Sequence, residues 1–359
     1  MSQPGVPQTT TPLPRSRLGR TGSTLILLLA ATIATAGVRL LLGESFGWPD
    51  GDLANVWLRA WSGLTGNDPP ALTALDTRVF RIVLAALVGI ALASSGVALQ
   101  ALLRNPLAEP FILGLSTGAI VGVLLWEWFA RAQGVVLWPQ HLGALAGAAM
   151  SMAIVYAASR RHGTLDPLGL LLVGVVLSTI NGAVVMFLHY VMSGPSPPVS
   201  RWMMGGLNEA LDAPTVWVIM ATIAAGGGVL LRSAPSMDVA TFSDAEAQSL
   251  GVNLPRLRTI LFAVASLLAA AGVVLAGPLA FVGFICPHLA RMLFGPAHRV
   301  LLCASALIGV MLMLGADMVT IGIDLKWNLG QLPLGIFTAV VGGVVFLWML
   351  RSKLGGGVG

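Results

Sequence analysis

Charge is what this 359-residue sequence has least of: Asp, Glu, Lys and Arg make up 10% of it, whereas 56% is hydrophobic. A soluble domain carries about 25% charged residues, so this chain could not cover a surface in water, and it reads as an integral membrane protein. Cysteine is nearly missing as well. Cys286 and Cys303 are the only two, which leaves no disulfide framework and no metal-ligand spacing; small buried hydrophobes is the plain reading. The five histidines are scattered, without an HExxH pair. Lysine occurs only as Lys326 and Lys353. Neither follows the glycine-rich turn that cradles nucleotide phosphates, so the chain carries no ATPase motif of its own. The formal charge is +5, from 20 basic against 15 acidic residues. In so sparsely charged a chain that balance bears on orientation in a bilayer, and no nucleic-acid partner is expected.

What the sequence does have is apolar runs, with 43 Gly and 21 Pro placed inside them. That pattern belongs to kinked, closely packed transmembrane helices and not to a linker. Residues 1–23, rich in Pro, Thr and Arg, are expected to form a disordered tail. No small-residue cleavage site follows the run Thr24–Leu42, which reads as a first span and not as a removed signal peptide. With about 20 apolar residues needed per crossing, spans are expected near 24–42, 80–102, 111–129, 141–158, 168–191, 214–231, 257–277, 279–294, 300–321 and 334–350. The fold class is therefore all-α, with about ten transmembrane helices in one polytopic domain, 24–352, and a short tail, 353–359. Gly277-Pro278 is the only clear break between the seventh and eighth spans.

With the N-terminus inside, 13 Lys and Arg fall on inner segments and 7 on outer ones. Both ends are then cytoplasmic. A long outer loop, 43–79, carries Trp48, Trp57 and Trp61, and residues 192–213 form a second outer segment. The only sizeable polar inner loop is 232–256. Within it Ser243-Asp244-Ala245-Glu246 has the spacing of a capping box, predicting a short helix at 243–250 ended by Gly251.

Several stretches bear chemistry-capable residues. Gly114-Leu115-Ser116-Thr117-Gly118 matches a nucleophile-elbow pattern, but the strand–turn–helix setting that an elbow needs is missing, and close helix packing by small residues is the rival explanation. Arg104-Asn105-Pro106-Leu107-Ala108-Glu109-Pro110 predicts a sharp reversal, because each proline lacks an amide donor and restricts the residue before it. The prolines do not account for the Asn and the carboxylate between them. In the fifth span Gly174, Ser178, Asn181 and Gly182 share one face. They line a water-filled path or bond helix to helix. Asp317, in the ninth span, either pairs with a neighbouring helix or lines a path. Arg78 and Arg81 stand three apart where the second helix leaves the outer surface, suited to lipid headgroups or to the carboxylates of a docking partner.

Together these segments resemble the permease subunits of type II ABC importers, which take up ferric siderophores, cobalamin and haem. The resemblance rests on RNPLAEPFILGLSTGA (104–119), RWMMGGL (201–207), LGVNLPRLR (250–258), GPLAFVGFICPHLARMLFGPAHR (277–299) and LPLGIFTAVVGG (332–343), and it spans about residues 25–352. It implies a permease in the bacterial inner membrane, paired with a second copy of itself or a paralogue. Two ATP-binding subunits would hold ATP and Mg, an extracytoplasmic substrate-binding protein would deliver cargo, and no cofactor would be held by this chain. It also implies that Ser243, Asp244, Glu246, Leu250, Gly251 and Val252 couple to the ATPase, that Arg78, Arg81 and Lys326 receive the binding protein, and that Asn105 and Leu107 close the cytoplasmic gate. Ser178, Asn181 and Asp317 would lie along the pathway. The expected cargo is an iron chelate, with cobalamin or haem as the alternative. The sequence departs from the family at Phe80, where Pro is usual, at Ile321, where Arg is frequent, at Gln331, where Glu is common, and at Gly343-Val344-Val345, which lacks the usual Pro. The rival class is a secondary transporter with Asp317 as its coupling carboxylate.

Overall fold

A computed structural model describes residues 16–41, 69–134, 140–161, 164–327 and 332–355. Trp48, Trp57, Trp61 and Gln331 lie outside them. Twelve α-helices appear among the described residues: α1 (Ser16–Leu41), α2 (Pro69–Leu103), α3 (Leu115–Ala132), α4 (His141–Ala158), α5 (Pro167–Val191), α6 (Pro197–Met203), α7 (Ala213–Val239), α8 (Asp244–Ser249), α9 (Leu254–Ala276), α10 (Val282–Phe294), α11 (His298–Trp327) and α12 (Leu334–Gly355). A 3-10 turn, Pro110–Leu113, precedes α3, and a two-residue antiparallel ladder, pairing Arg160 with Leu165, links α4 to α5.

All ten expected spans coincide with helices. Seven of these helices are long and apolar enough to cross a membrane, while Val282–Phe294 and Leu334–Leu347 are shorter apolar stretches. Among the described residues, length and composition therefore identify seven spans and do not confirm the count of ten. Two helices also begin earlier than expected. α1 starts at Ser16, inside the expected tail, and α2 at Pro69, inside the expected loop. Hydropathy marks where a helix meets hydrocarbon, not where its backbone ends. Between Pro14 and Leu41 no proline interrupts the helix, and Pro69-Pro70 fill first-turn positions where a missing amide costs nothing.

Local chemistry fixes several other ends. Asp166 caps α5 by accepting from the amides of Leu168 and Gly169, at 3.3 and 3.1 Å, with Pro167 at the first helical position. Asn253 caps α9 through the Arg256 amide at 3.1 Å. α9 ends at Gly277, whose φ of 68° favours glycine.

α2 is the centre of the bundle. Its best span window is 78% buried, against 11% for α1, which rides on the outside. Close approach explains this. A Cβ on Gly89 would strike the Gly309 backbone of α11, and one on Gly96 the Gly283 carbonyl of α10. Such small-residue contacts are how helices associate where lipid supplies no hydrophobic drive. Ion pairs and caps sort the helix ends. Asp238 at the end of α7 accepts from the His298 amide at 2.9 Å, so α11 starts at the end of the bundle that carries α8. α2 finishes there too, since Arg104 reaches Asp244. The starts of α2 and α7 and the finishes of α1 and α11 gather at the opposite end.

Candidate functional site

At the α8 end the capping box forms. The Ser243 hydroxyl oxygen accepts from the Glu246 amide (3.3 Å), and Glu246 accepts from the Ser243 amide (3.0 Å) and hydroxyl (2.7 Å). Those bonds from the Ser243 hydroxyl and then its amide hold the Glu246 carboxyl below its ordinary value. Gly251, at φ 84°, turns the chain, and the Val252 amide returns to the Ala247 carbonyl at 3.0 Å. Ala247 is buried, whereas Leu250 is 64% exposed. The short helix is therefore anchored by one face and presents Leu250 outward.

α8 is also tied to the turn before α3. Asp244 lies between Arg104, at 2.6 Å, and Arg258, at 2.8 Å, and Arg104 Nε donates to the Ala240 carbonyl at 3.0 Å. Burial alone would raise the Asp244 carboxyl, but the hydrogen bonds and charges of Arg258 and Arg104 outweigh it and hold it low. The two polar residues between the prolines now have roles. Asn105 Oδ1 accepts from the Leu107 amide at 3.0 Å and closes the turn. Glu109 reaches from the turn to accept from the Phe281 amide at 2.9 Å, at the start of α10. Phe281 sits at φ 68°, in the left-handed region, so the carboxylate helps hold a strained entry to that helix. Burial pushes the Glu109 carboxyl up to about 7, against the pull of that amide.

Within the bundle, Asn181 borders a pocket of about 380 Å³ that Gly118, Gly147 and Ser151 also line. Its amide donates toward the Gly114 carbonyl (3.4 Å), Thr117 Oγ1 (3.2 Å) and Ser151 Oγ (3.3 Å), joining α5 to α3 and α4. Ser178 packs beside Gly114. Ser116 is buried beside this network at the start of a helix. A 3-10 turn and not a strand leads into it, so an elbow geometry is not formed.

The opposite end holds the most buried charges. Asp317 is fully buried in α11 and bridges two arginines: Arg39 of α1 on Oδ2 and Arg81 of α2 on Oδ1, the latter at 2.6 Å. Arg81 also holds Glu209, from the segment before α7. Arg78 is buried and donates to the Leu40 carbonyl at 3.2 Å. Thus Arg78 faces α1 and not lipid headgroups, and Arg81 already has two carboxylates. Lys326 is exposed, its ammonium 4.9 Å from the centre of the Trp327 ring. Beside this network lies a pocket of about 300 Å³, with Arg81, Arg201, Trp202 and Glu209 among its walls. Close backbone contacts hold together the segments that line it. The Gly335 amide donates to the Gly205 carbonyl at 3.0 Å, and a Cβ on Gly277 would collide with the Trp202 carbonyl.

Arg39, Arg258 and Glu209 take part in these networks without having been singled out in the sequence. The signal for the first was available, because Asp317 demanded a basic partner and few cations lie on that side. For Glu209, which approaches Arg81 across 128 positions, no local pattern exists. Among the described residues no group of three or more His, Cys, Asp and Glu could hold a metal.

Comparison with known proteins bears on the family and the fold. The model of the FecCD transport family matches residues 50–352. The cobalamin import system permease protein of Halobacterium salinarum is 38% identical over 77% of this chain and 72% of its own length. The hemin transport system permease protein of Yersinia pestis is 33% identical, covering 92% and 95%. The vitamin B12 import system permease protein of Klebsiella pneumoniae is 34% identical, covering 96% of each. Among solved structures, an inward-facing metal-chelate type ABC transporter aligns with a TM-score of 0.74 at 26% identity, over 92% of this chain and 99% of that one.

Proposed function

We propose that this chain, which belongs to the FecCD transport family, moves a metal chelate of the cobalamin or haem kind across the membrane. It is a multi-pass permease of a type II ABC importer, a translocation subunit and not an enzyme, and ATP hydrolysis resides on separate subunits. Cobalamin is the first cargo to test. Its support is that relatives named for cobalamin and for hemin match over most of this chain. A ferric siderophore is the further cargo in the same chemical class.

On this reading two copies of the chain, or this chain and a paralogue, flank the pathway. Two ATP-binding subunits, with their ATP and Mg, act on the α8 end. The observation that carries the mechanism is the Arg104–Asp244–Arg258 cluster, which makes α8 and the turn around Asn105 and Leu107 a single block. Ser243, Asp244 and Glu246 hold the helix, while Leu250, Gly251 and Val252 form the edge offered to the ATPase. A push on that edge moves the turn, and through Glu109 it moves the start of α10. Alternating access then follows as a rigid-body and gating transition. The opposite end faces the substrate-binding protein.

The test is uptake of labelled cobalamin, hemin and a ferric siderophore, side by side, in cells with and without this gene. Loss of cobalamin uptake is the expected result. Loss of hemin or siderophore uptake alone would move the cargo within the class. Loss of none, in cells lacking any second importer for these cargoes, would overturn the import reading.

A further inference from the structure

The pocket of about 380 Å³ beside Asn181 belongs to neither of the charged ends. Glycines create it. A Cβ on Gly122 would strike the Gly143 carbonyl, and one on Gly147 the Gly118 carbonyl, so α3 and α4 touch backbone to backbone. Large side chains stand on either side of that seam, and Leu125, Phe129, Met150 and Ile154 are all exposed in the single chain. The result is a groove with tall apolar rims and a backbone floor. Of the side chains that line it, only those of Ser151, Asn181 and Trp126 carry nitrogen or oxygen. Ser151 is 4% exposed and Asn181 8%. The Asn181 amide nitrogen is committed to the Gly114 carbonyl, Thr117 Oγ1 and Ser151 Oγ. A carbonyl can only accept, so this contact fixes which end of the amide is nitrogen and leaves Oδ1 as the atom available to the pocket. Among the described residues no donor reaches that Oδ1, and the Ser151 hydroxyl, which accepts from Asn181 at 3.3 Å, finds no acceptor for its own hydrogen. Ser151 stands about 15 Å along α4, near the middle of that helix, where hydrocarbon and not water surrounds the bundle.

We propose that this groove binds a bilayer-soluble alcohol, a molecule with an apolar body whose hydroxyl accepts from Ser151 and donates to Asn181 Oδ1. One hydroxyl satisfies both groups, because Ser151 Oγ lies against the Asn181 amide. The volume is more than twice that of an engineered apolar cavity of about 150 Å³ that takes up benzene, which sets the body at roughly twelve to fifteen carbons. Apolar walls with a few convergent polar groups are also the usual make-up of a small-molecule site. A phospholipid acyl chain would fill the groove by shape and leave both polar groups unpaired. A water would pair them and leave the walls bare. The alcohol does both. It enters sideways from the hydrocarbon, between the rims of Leu125 and Met150, and once bound it ties α4 to α5 through its hydroxyl. The inference is independent of the cargo.

The test uses the full-length permease in phosphatidylcholine nanodiscs and a dodecanol that carries a photoactivatable diazirine in its chain, with labelled residues mapped by mass spectrometry. Labels should fall on the groove faces of α3, from Gly118 to Phe129, and of α4, from Gly143 to Ile154. Unlabelled 1-dodecanol should suppress them several-fold more than dodecane or dodecyl methyl ether at the same mole fraction in the bilayer. Ser151→Ala should remove that advantage of the alcohol. Ala146→Phe, at an exposed position that lines the groove, fills it without entering the glycine seam and should abolish the labels. Equal suppression by alcohol, ether and alkane in the wild-type protein would overturn the proposal and leave an acyl-chain groove with water on its polar floor; this comparison stands even if S151A fails to fold. Labels that persist in A146F, or an advantage of the alcohol that persists in S151A, would also overturn it. So would labels found on detergent-dispersed single chains and missing from the nanodiscs, since a second copy would then cover the groove. None of these readouts uses transport, so they hold whatever the uptake comparison returns.

Discussion

Replacing Asp317 by Asn isolates the largest electrostatic commitment in the molecule. Asp317 is fully buried and Arg39 is 1% exposed, so the substitution removes a buried negative charge that Arg39 and Arg81 share. Removing one partner of a buried pair costs about 3–5 kcal/mol. Arg81 would still hold Glu209, but that half-exposed pair contributes about 1 kcal/mol at most and does nothing for Arg39. The expected order is therefore D317N far below wild type and E209Q close to it. Reversible unfolding of the detergent-solubilised protein, followed by far-ultraviolet circular dichroism, reads both. The pairing of Arg39→Met with Asp317→Leu supplies the control. Hydrophobic replacement of a whole buried pair is often neutral, so the double variant should recover more than half of what D317N loses. A D317N protein within about 1 kcal/mol of wild type would refute the reasoning, as would a double variant no better than the single one. The same substitution separates two classes of transporter. At a temperature where D317N stays folded, an ATP-driven importer keeps transporting, whereas a carrier using Asp317 for protons stops.

The remaining expectations concern the α8 end and the packed helices. Glu109 binds a proton on folding, because its folded value of about 7 stands above the ordinary 4.5. Its cost is absent below pH 4.5 and grows as the pH rises through 7. Glu109→Gln, which can still accept from the Phe281 amide, should then equal or exceed wild-type stability at pH 8 and flatten the dependence between pH 5 and 8; a steeper loss would show that the ionised form is the one the fold needs. Ser243→Ala removes the cap of α8 at a local cost of about 1 kcal/mol, seen as faster amide exchange over 244–249 with the rest unchanged. Arg104→Met should leave ATP hydrolysis by the assembled transporter running while transport falls at least tenfold, and equal losses in both would break the link drawn between α8 and the turn. Gly147→Leu should prevent stable folding, since even a Cβ there meets the Gly118 backbone; retention of a monodisperse protein would refute the close α3–α4 packing. Ser116→Ala should change neither stability by more than about 1 kcal/mol nor uptake, whereas an intramembrane hydrolase would lose its activity.

What was legible in the sequence divides by the range of the interaction. Helix positions follow from local apolar composition, and the capping box at Ser243–Glu246 follows from four consecutive residues, so both could be read directly. The breaks at Gly277-Pro278 and at Pro106 and Pro110 are equally local. Helix starts at Ser16 and Pro69 were not legible, because a helix continues past the membrane boundary without any change in hydropathy. Partnerships were harder still. Asp317 demanded a cation, yet Arg39 is 278 positions away and Glu209 is 128 positions from Arg81. Only the packing of α1, α2 and α11 brings the first pair together. Arg78 and Arg81 show the same limit from the other side. Three residues apart on one helix, they are alike in sequence, but α1 covers one and the pocket opens onto the other. Their difference is created by a neighbour, so no reading of α2 alone could have assigned them different roles. The α8 edge and the pocket beside Arg81 lie at opposite ends of α2, the most buried span, which finishes at Leu103 and begins its apolar run beside Arg81. On the import reading, what joins the two ends is this one helix, packed glycine to glycine against α10 and α11.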